Sequence, residues 1–176
     1  MKNNLLEASI RSIPDFPKPG VLFRDVTTLI KNKPAFKEAV DQLAKIYKGK
    51  KIDKVAGVEA RGFIFGAALA YKIGAGFVPV RKKGKLPCKT VSATYALEYG
   101  TDTLEIHSDA IKPSEKVLII DDLLATGGTV SATIELIEKL KGKIIGIGFV
   151  IELVDFKGRE KFKKYPVHSL VKFRGE

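Results

Sequence analysis

Two aspartates followed by a small, hydroxyl- and glycine-rich tract are the residues of this chain best suited to chemistry: Asp121-Asp122-Leu123-Leu124-Ala125-Thr126-Gly127-Gly128-Thr129. Gly127 and Gly128 free the backbone to approach a bound group and to take positive φ. Amides at the start of a helix, joined by the Thr126 and Thr129 hydroxyls, can then cradle an anion with help from the helix dipole. The tract contains no lysine, which separates it from the GxxxxGK[ST] loop of nucleoside-triphosphate binders. Asp121 and Asp122 would repel a phosphate they touched. Their use is to accept hydrogen bonds from hydroxyls beside it, and a phosphorylated sugar offers both groups. The plainer alternative is an ordinary strand-turn-helix with acids at a solvated strand end, but the whole thirteen-residue string from Val117 fits it poorly.

The elements around this tract follow from periodicity. Val117-Leu118-Ile119-Ile120 is a short apolar run between Glu115-Lys116 and Asp121-Asp122, which predicts a strand buried on both faces. Val130, Ile134, Ile137 and Lys141 recur at helical spacing, Leu140 widens the stripe, and Gly142 can end it. Strand, loop and helix in this order bind ligands at the carboxyl ends of strands in open α/β sheets. Elsewhere the pattern predicts a short helix within residues 1–12, a stiff proline-rich stretch from Ile13 to Gly20, and a helix from Pro34 to about Tyr47. Further on it predicts strands at Lys54–Val58, Gly76–Val80, Lys143–Leu153 and Val167–Phe173, a buried helix from Ala60 to Lys72, and a short helix at 158–163. Residues 81–100 form a long polar connection whose Val91, Ala93, Tyr95, Leu97 and Tyr99 alternate as in a β-hairpin. Strands alternating with helices define an α/β fold with an open, twisted parallel sheet flanked by helices. The expected organisation is a single domain over 1–176: a cap at 1–33 over the sheet's carboxyl edge, and a core at 34–176 carrying a flexible hairpin lid at 81–100.

A second candidate constellation is Glu59-Ala60-Arg61-Gly62-Phe63, where a core strand runs into a helix. An anion can bind at such a helix start, and the Arg61 guanidinium suits phosphate. Arg81-Lys82-Lys83-Gly84-Lys85 leads out of the next strand, and long loops in this position often act as lids. Cys88 is the sole cysteine, so no internal disulfide can form; neither His107 nor His168 sits in a nucleophile motif or at metal-ligand spacing. The net charge of +11 admits a solvated basic surface, nucleic-acid binding or a polyanionic small substrate. The lysines are scattered along the sequence and no basic-aromatic RNA motif or helix-turn-helix stands out, so no nucleic-acid partner is expected. No apolar run approaches membrane-spanning length and the N-terminus lacks a signal-peptide core, which argues against a membrane partner and for a cytoplasmic chain.

The string from Val117 to Thr129 resembles the signature of the type I phosphoribosyltransferases. Ile10–Pro17, Gly20–Asp25, Glu59–Phe63, Gly84–Pro87, Leu97–Gly100 and the signature occur in order, so the resemblance covers nearly the whole chain. Through its PDFPKPGVLFRD string, the chain is similar to the members that act on adenine. The resemblance implies transfer of the 5-phosphoribosyl group from 5-phospho-α-D-ribose 1-diphosphate to adenine, giving AMP and pyrophosphate. It implies that Ala125, Thr126, Gly127, Gly128 and Thr129 hold the 5-phosphate and that Asp121 and Asp122 hold the ribose. Glu59, Ala60, Arg61, Arg81 and Lys85 would serve the pyrophosphate, with a non-proline cis peptide at Glu59–Ala60. Leu22, Phe23 and Arg24 would bind adenine, Phe23 by stacking, while Glu98 and Arg61 would be catalytic. It further implies Mg²⁺ held mainly through substrate oxygens, without an all-protein metal cage, and a homodimer. Two alternatives stay open: transfer to another purine base, and a regulatory protein of the same fold that senses the diphosphate sugar.

Overall fold

The structure, a computed structural model, describes residues 4–96 and 100–175. Among these, a seven-stranded sheet runs in the order β5-β6-β4-β3-β7-β8-β9. Its strands are β3 (Lys54–Val58), β4 (Gly76–Lys82), β5 (Thr90–Ala96), β6 (Thr101–His107), β7 (Lys116–Leu124), β8 (Lys143–Leu153) and β9 (Val167–Phe173). Strands β3, β4, β7, β8 and β9 are mutually parallel, while β6 is antiparallel to both β4 and β5. The expected parallel sheet is thus present with an antiparallel pair at one edge. The hairpin anticipated at 81–100 continues the main sheet: residues 81–82 close β4 and 90–96 form β5, leaving 83–89 as the connecting turn.

Burial on both faces explains the apolar runs. In β7, Leu118 and Ile120 enter a core with Val55, Phe65, Leu69 and Leu43 on one face. Val117 and Ile119 enter a second core with Val58, Leu136, Ile137 and Phe149 on the other. Helices α3 (Lys33–Ile46) and α4 (Arg61–Ile73) cover the first face, and α5 (Gly128–Lys139) covers the second. From β3 the chain leaves through α4 toward β4; from β7 it leaves through α5 toward β8. These opposite departures open a crevice at the carboxyl ends of β3 and β7, where open α/β sheets bind ligands.

The N-terminal region is more regular than its prolines suggest. It contains α1 (Asn4–Ala8), an antiparallel pair of β1 (Arg11–Ile13) and β2 (Phe23–Asp25), and α2 (Thr27–Lys31). Buried Leu6, Ile10, Val26 and Leu29 share the first core, which seats this region on the sheet. Asp25 fixes the corner: its carboxylate accepts the Thr27 amide at 2.9 Å and hydroxyl at 2.6 Å, and pairs with Arg11 at 2.6 Å. Helix α5 stops three residues before the expected Gly142. Lys141, not a glycine, takes the left-handed conformation, at φ 60°. Its buried residues Val130, Ala132, Thr133, Leu136 and Ile137 make a broader stripe than the expected one, because α5 packs against the edge strands β5 and β6 as well as β7 and β8. Residues 158–163 are indeed helical, as the second of two 3-10 turns at Val154–Phe156 and Gly158–Phe162.

Candidate active site

Strand β7 extends through Asp121 and Asp122 to Leu124; β3 pairs with it as far as Ile120 and β8 as far as Leu124, so both acids stand where the strand has run past one neighbour and is still held by the other. The loop after it turns at Gly127, at φ 80°, a left-handed conformation that glycine adopts without penalty. Helix α5 then begins at Gly128. The first amides of α5 have no partner within the helix and point back over the loop. Ser131 and Thr133 hydroxyls donate to the Gly127 and Thr129 carbonyls, at 3.0 and 2.9 Å, and so do not cap those amides.

One cavity of about 570 Å³ gathers this loop with the second constellation. It is lined by Glu59, Ala60, Arg61, Asp121, Asp122 and every residue from Leu123 to Val130, with Tyr95, Ala96 and Phe156 closing it. Two larger depressions, of about 720 and 1280 Å³, lie against the C-terminal turns and between α3 and β9. Only the smaller space joins hydroxyls, helix-start amides and carboxylates at the carboxyl ends of β3 and β7, so it is the one with a chemical case. All ten expected phosphate-loop, ribose and Glu59–Arg61 residues stand on it.

The electrostatics are built from few groups. Asp122 pairs with Arg61 Nε at 2.6 Å, which joins the two strand-end loops. The Asp121 carboxylate accepts the Asp122 amide at 2.9 Å. Burial, then the neighbouring Asp122 charge, pushes the Asp121 carboxyl well above the usual range, with Arg61 opposing. Gly62 makes this crowding possible, since a Cβ there would lie 2.8 Å from Asp121 Oδ1. The Glu59–Ala60 peptide bond is cis, as expected. The Glu59 carboxylate faces β4, where it accepts the Lys82 amide at 2.8 Å and Arg81 Nε at 3.1 Å. Arg81 Nη1 also donates to the Lys85 carbonyl at 3.1 Å, so one side chain braces the start of the 83–89 turn. Lys85 itself is exposed.

Phe23 does not line the cavity but adjoins it: the Arg61 guanidinium lies 5.7 Å from its ring centroid, and Phe16 packs edge-on at 5.1 Å. Leu22 is half-buried, and the Arg24 side chain is directed to the Ser12 hydroxyl at 2.5 Å and over the Phe173 ring at 4.0 Å. Glu98 lies outside the described residues. Two aromatic side chains at the cavity, Tyr95 and Phe156, were not singled out from the sequence. Tyr95 was one of the alternating residues of the expected hairpin, and its hydroxyl donates to Asp102 Oδ2 at 3.5 Å. Phe156, 42% exposed, carried no sequence signal. Among the described residues no group of three or more His, Cys, Asp or Glu could hold a metal ion, and no helix is long and apolar enough to cross a membrane.

The fold and the paired strand-end loops define a class that comparison with known proteins also finds: residues 26–173 match the family model of the phosphoribosyl transferase domain. The adenine phosphoribosyltransferase of Brachyspira hyodysenteriae is 57% identical over 96% of this chain and 99% of its own length. The crystal structure of that of Thermoanaerobacter pseudethanolicus superposes with a TM-score of 0.92, at 52% identity over 96% of this chain and 98% of the other. That from Saccharomyces cerevisiae, complexed with an imino-altritol bisphosphate and adenine, gives 0.89 at 42% identity over 94% and 96% of the two chains. The chain belongs to the adenine phosphoribosyltransferase family.

Proposed function

We propose that the protein transfers the 5-phosphoribosyl group from 5-phospho-α-D-ribose 1-diphosphate to adenine, releasing pyrophosphate and forming AMP, a purine-salvage reaction. One observation carries the residue assignment: a loop that offers helix-start amides and hydroxyls, two acids on the adjoining strand end and a second strand-end loop with an arginine share one cavity. In this reading Ala125–Thr129 hold the 5-phosphate, Asp121 and Asp122 the ribose hydroxyls, and Glu59–Arg61 with Arg81 and Lys85 the pyrophosphate. Phe23 stacks on adenine, Leu22 and Arg24 read its edge through backbone groups, and Glu98 handles the base proton.

The anomeric carbon is displaced with oxocarbenium-like character, and the protein need not supply a covalent nucleophile. Its residues orient the two reactants, neutralise the departing diphosphate and keep water out. Arg61 serves twice, holding Asp122 in place and presenting charge to the leaving group. Asp121 and Asp122 fit a role beside Mg²⁺: crowded carboxylates gain from a cation, yet two acids fill only part of a six-oxygen shell. Substrate oxygens and water would complete that shell, and the ion would offset diphosphate charge. Removing magnesium with a chelator should abolish turnover.

A homodimer in the cytoplasm completes the proposal. Helix α4 leaves the pyrophosphate loop with Ile64 39% and Tyr71 91% exposed and Ala67 exposed between them, an apolar stripe that a second copy would cover. Sedimentation at the mass of one 19.3 kDa chain would refute that part. For the reaction itself, adenine, hypoxanthine and guanine should compete in one assay with the diphosphate sugar and Mg²⁺. Adenine should be consumed and pyrophosphate released; preferred use of a 6-oxo purine sinks the base assignment.

A further inference from the structure

Behind the loop Ala125–Thr129 lie the 3-10 turns Val154–Phe156 and Gly158–Phe162, of which the proposed chemistry uses nothing beyond the edge at Phe156. We propose that Gly158, Arg159 and Phe162 set the shape of that loop and so govern how tightly a phosphate monoester is held; this rests on the reading of the loop given above. A Cβ at Gly158 would collide with the Ala125 carbonyl oxygen and would stand 2.9 Å from Leu124 Cδ1 and 3.1 Å from the Ala125 carbonyl carbon. The nearest obstacle is backbone, so the turn lies directly against the loop's main chain. On the other side of the turn, a Cβ at Gly127 would lie 2.7 Å from Phe162 Cζ and 3.3 Å from the Gly158 carbonyl oxygen. Phe162 is 1% exposed and cannot swing away into water. The loop is therefore shaped from behind at both Ala125 and Gly127.

The turn is in its own right anchored by one guanidinium. Arg159 Nε and Nη2 donate to the two Glu152 carboxylate oxygens at 2.8 and 2.5 Å. Nη1 donates to the Val167 carbonyl at 2.6 Å, and Nη2 also reaches the Ser169 hydroxyl at 3.1 Å. Glu152 is in β8 and both other acceptors are in β9, so the turn is tied to two strands at once. A lysine has no planar fork and could not make the paired bonds. Arg159 and Glu152 do not line the site cavity and instead wall the separate space of about 720 Å³. They act through the loop and are positioning residues.

AMP and adenosine differ only by the phosphate, so their affinity ratio isolates what the loop contributes. Calorimetry on the wild type, Gly158→Ala and Arg159→Lys, with melting curves to establish that each is folded, tests the proposal. The wild type should prefer AMP. Each variant should lose AMP affinity at least ten-fold while adenosine stays within about two-fold. An unchanged AMP-to-adenosine ratio, or equal weakening of both ligands, overturns the proposal, because general damage does not select for phosphate. Should Gly158→Ala fail to fold, Arg159→Lys and the shape-conserving Glu152→Gln carry the same comparison. A wild type that does not distinguish AMP from adenosine refutes the loop assignment itself, and this proposal with it.

Discussion

Gly62→Ala probes whether the two strand-end loops are as tightly fitted as the site requires. The new methyl would sit 2.8 Å from Asp121 Oδ1, 3.1 Å from the Ile120 carbonyl oxygen and 3.3 Å from Asp121 Cα. The last two are backbone atoms of the central strand β7 and cannot yield, so the carboxylate must turn. Turning breaks the 2.9 Å bond from the Asp122 amide, worth about 1 kcal/mol. Overpacking adds ~1–3 kcal/mol. Alanine's better helix propensity offsets up to about 1 kcal/mol, less at a helix's first turn. The net loss is therefore about 1–4 kcal/mol, or a melting temperature lowered by roughly 2–16 °C in a chain of this size. A carboxylate displaced by ~1 Å should also cost about a hundred-fold in kcat/KM. Gly74→Ala is the control: at φ 72° with nothing within 4 Å, it should lose about 1 kcal/mol through backbone strain alone and keep full activity. A Gly62→Ala protein with wild-type melting and wild-type kcat/KM would refute the crowding argument.

Three further outcomes are expected. Phe23→Ala should raise the KM for adenine at least ten-fold and leave that for the diphosphate sugar nearly unchanged; equal effects on both would argue for a packing role. Lys85→Ala should raise the KM for the diphosphate sugar by about three- to ten-fold, and an unaltered value would remove Lys85 from the pyrophosphate contacts. The Asp25 carboxyl is held at about 2, first by the Thr27 hydroxyl and then by Arg11, with burial opposing. Because the folded value lies below the ordinary 3.8, its stabilisation is fully present above about pH 4 and is lost as pH falls through about 2. Asp25→Asn should cost on the order of 1–2 kcal/mol near neutrality in urea unfolding. The gap to wild type should close toward pH 2, and a gap independent of pH would contradict the assignment.

What the sequence disclosed about the fold is what depends on near neighbours in the chain. Val117–Ile120 are apolar without alternation because both faces of β7 are covered, and that alone fixed a buried strand, its following loop and α5. The N-terminal proline of α3 marked a boundary that the structure keeps within one residue. The misses share a cause in contacts between distant residues. β1 and β2 are three residues each and exist because Arg11 pairs with Asp25 across the proline-rich turn; neither strand has a pattern long enough to read. β7 runs past the expected Ile120 because β8 pairs with it through Leu124, which no property of Asp121 or Asp122 announces.

The same division runs through the site. Residue types and spacing were enough to find the anion loop and the two acids, because a glycine-rich helix start is a local device. They did not show that Arg61 reaches Asp122, sixty-one positions away, nor that Glu59 turns toward Arg81 and the Lys82 amide. Those pairings bear on the proposed function: with Asp122 held by Arg61 and Glu59 occupied on β4, the positive charge that the proposed pyrophosphate loop can offer comes from the rest of the Arg61 guanidinium and from helix-start amides. A carboxylate within hydrogen-bond reach on each arginine also limits how far either can swing before substrate arrives. Preorganised, partly neutralised arginines suit a ligand whose charge grows on departure, since the stabilising groups are already aimed when the bond to the sugar breaks.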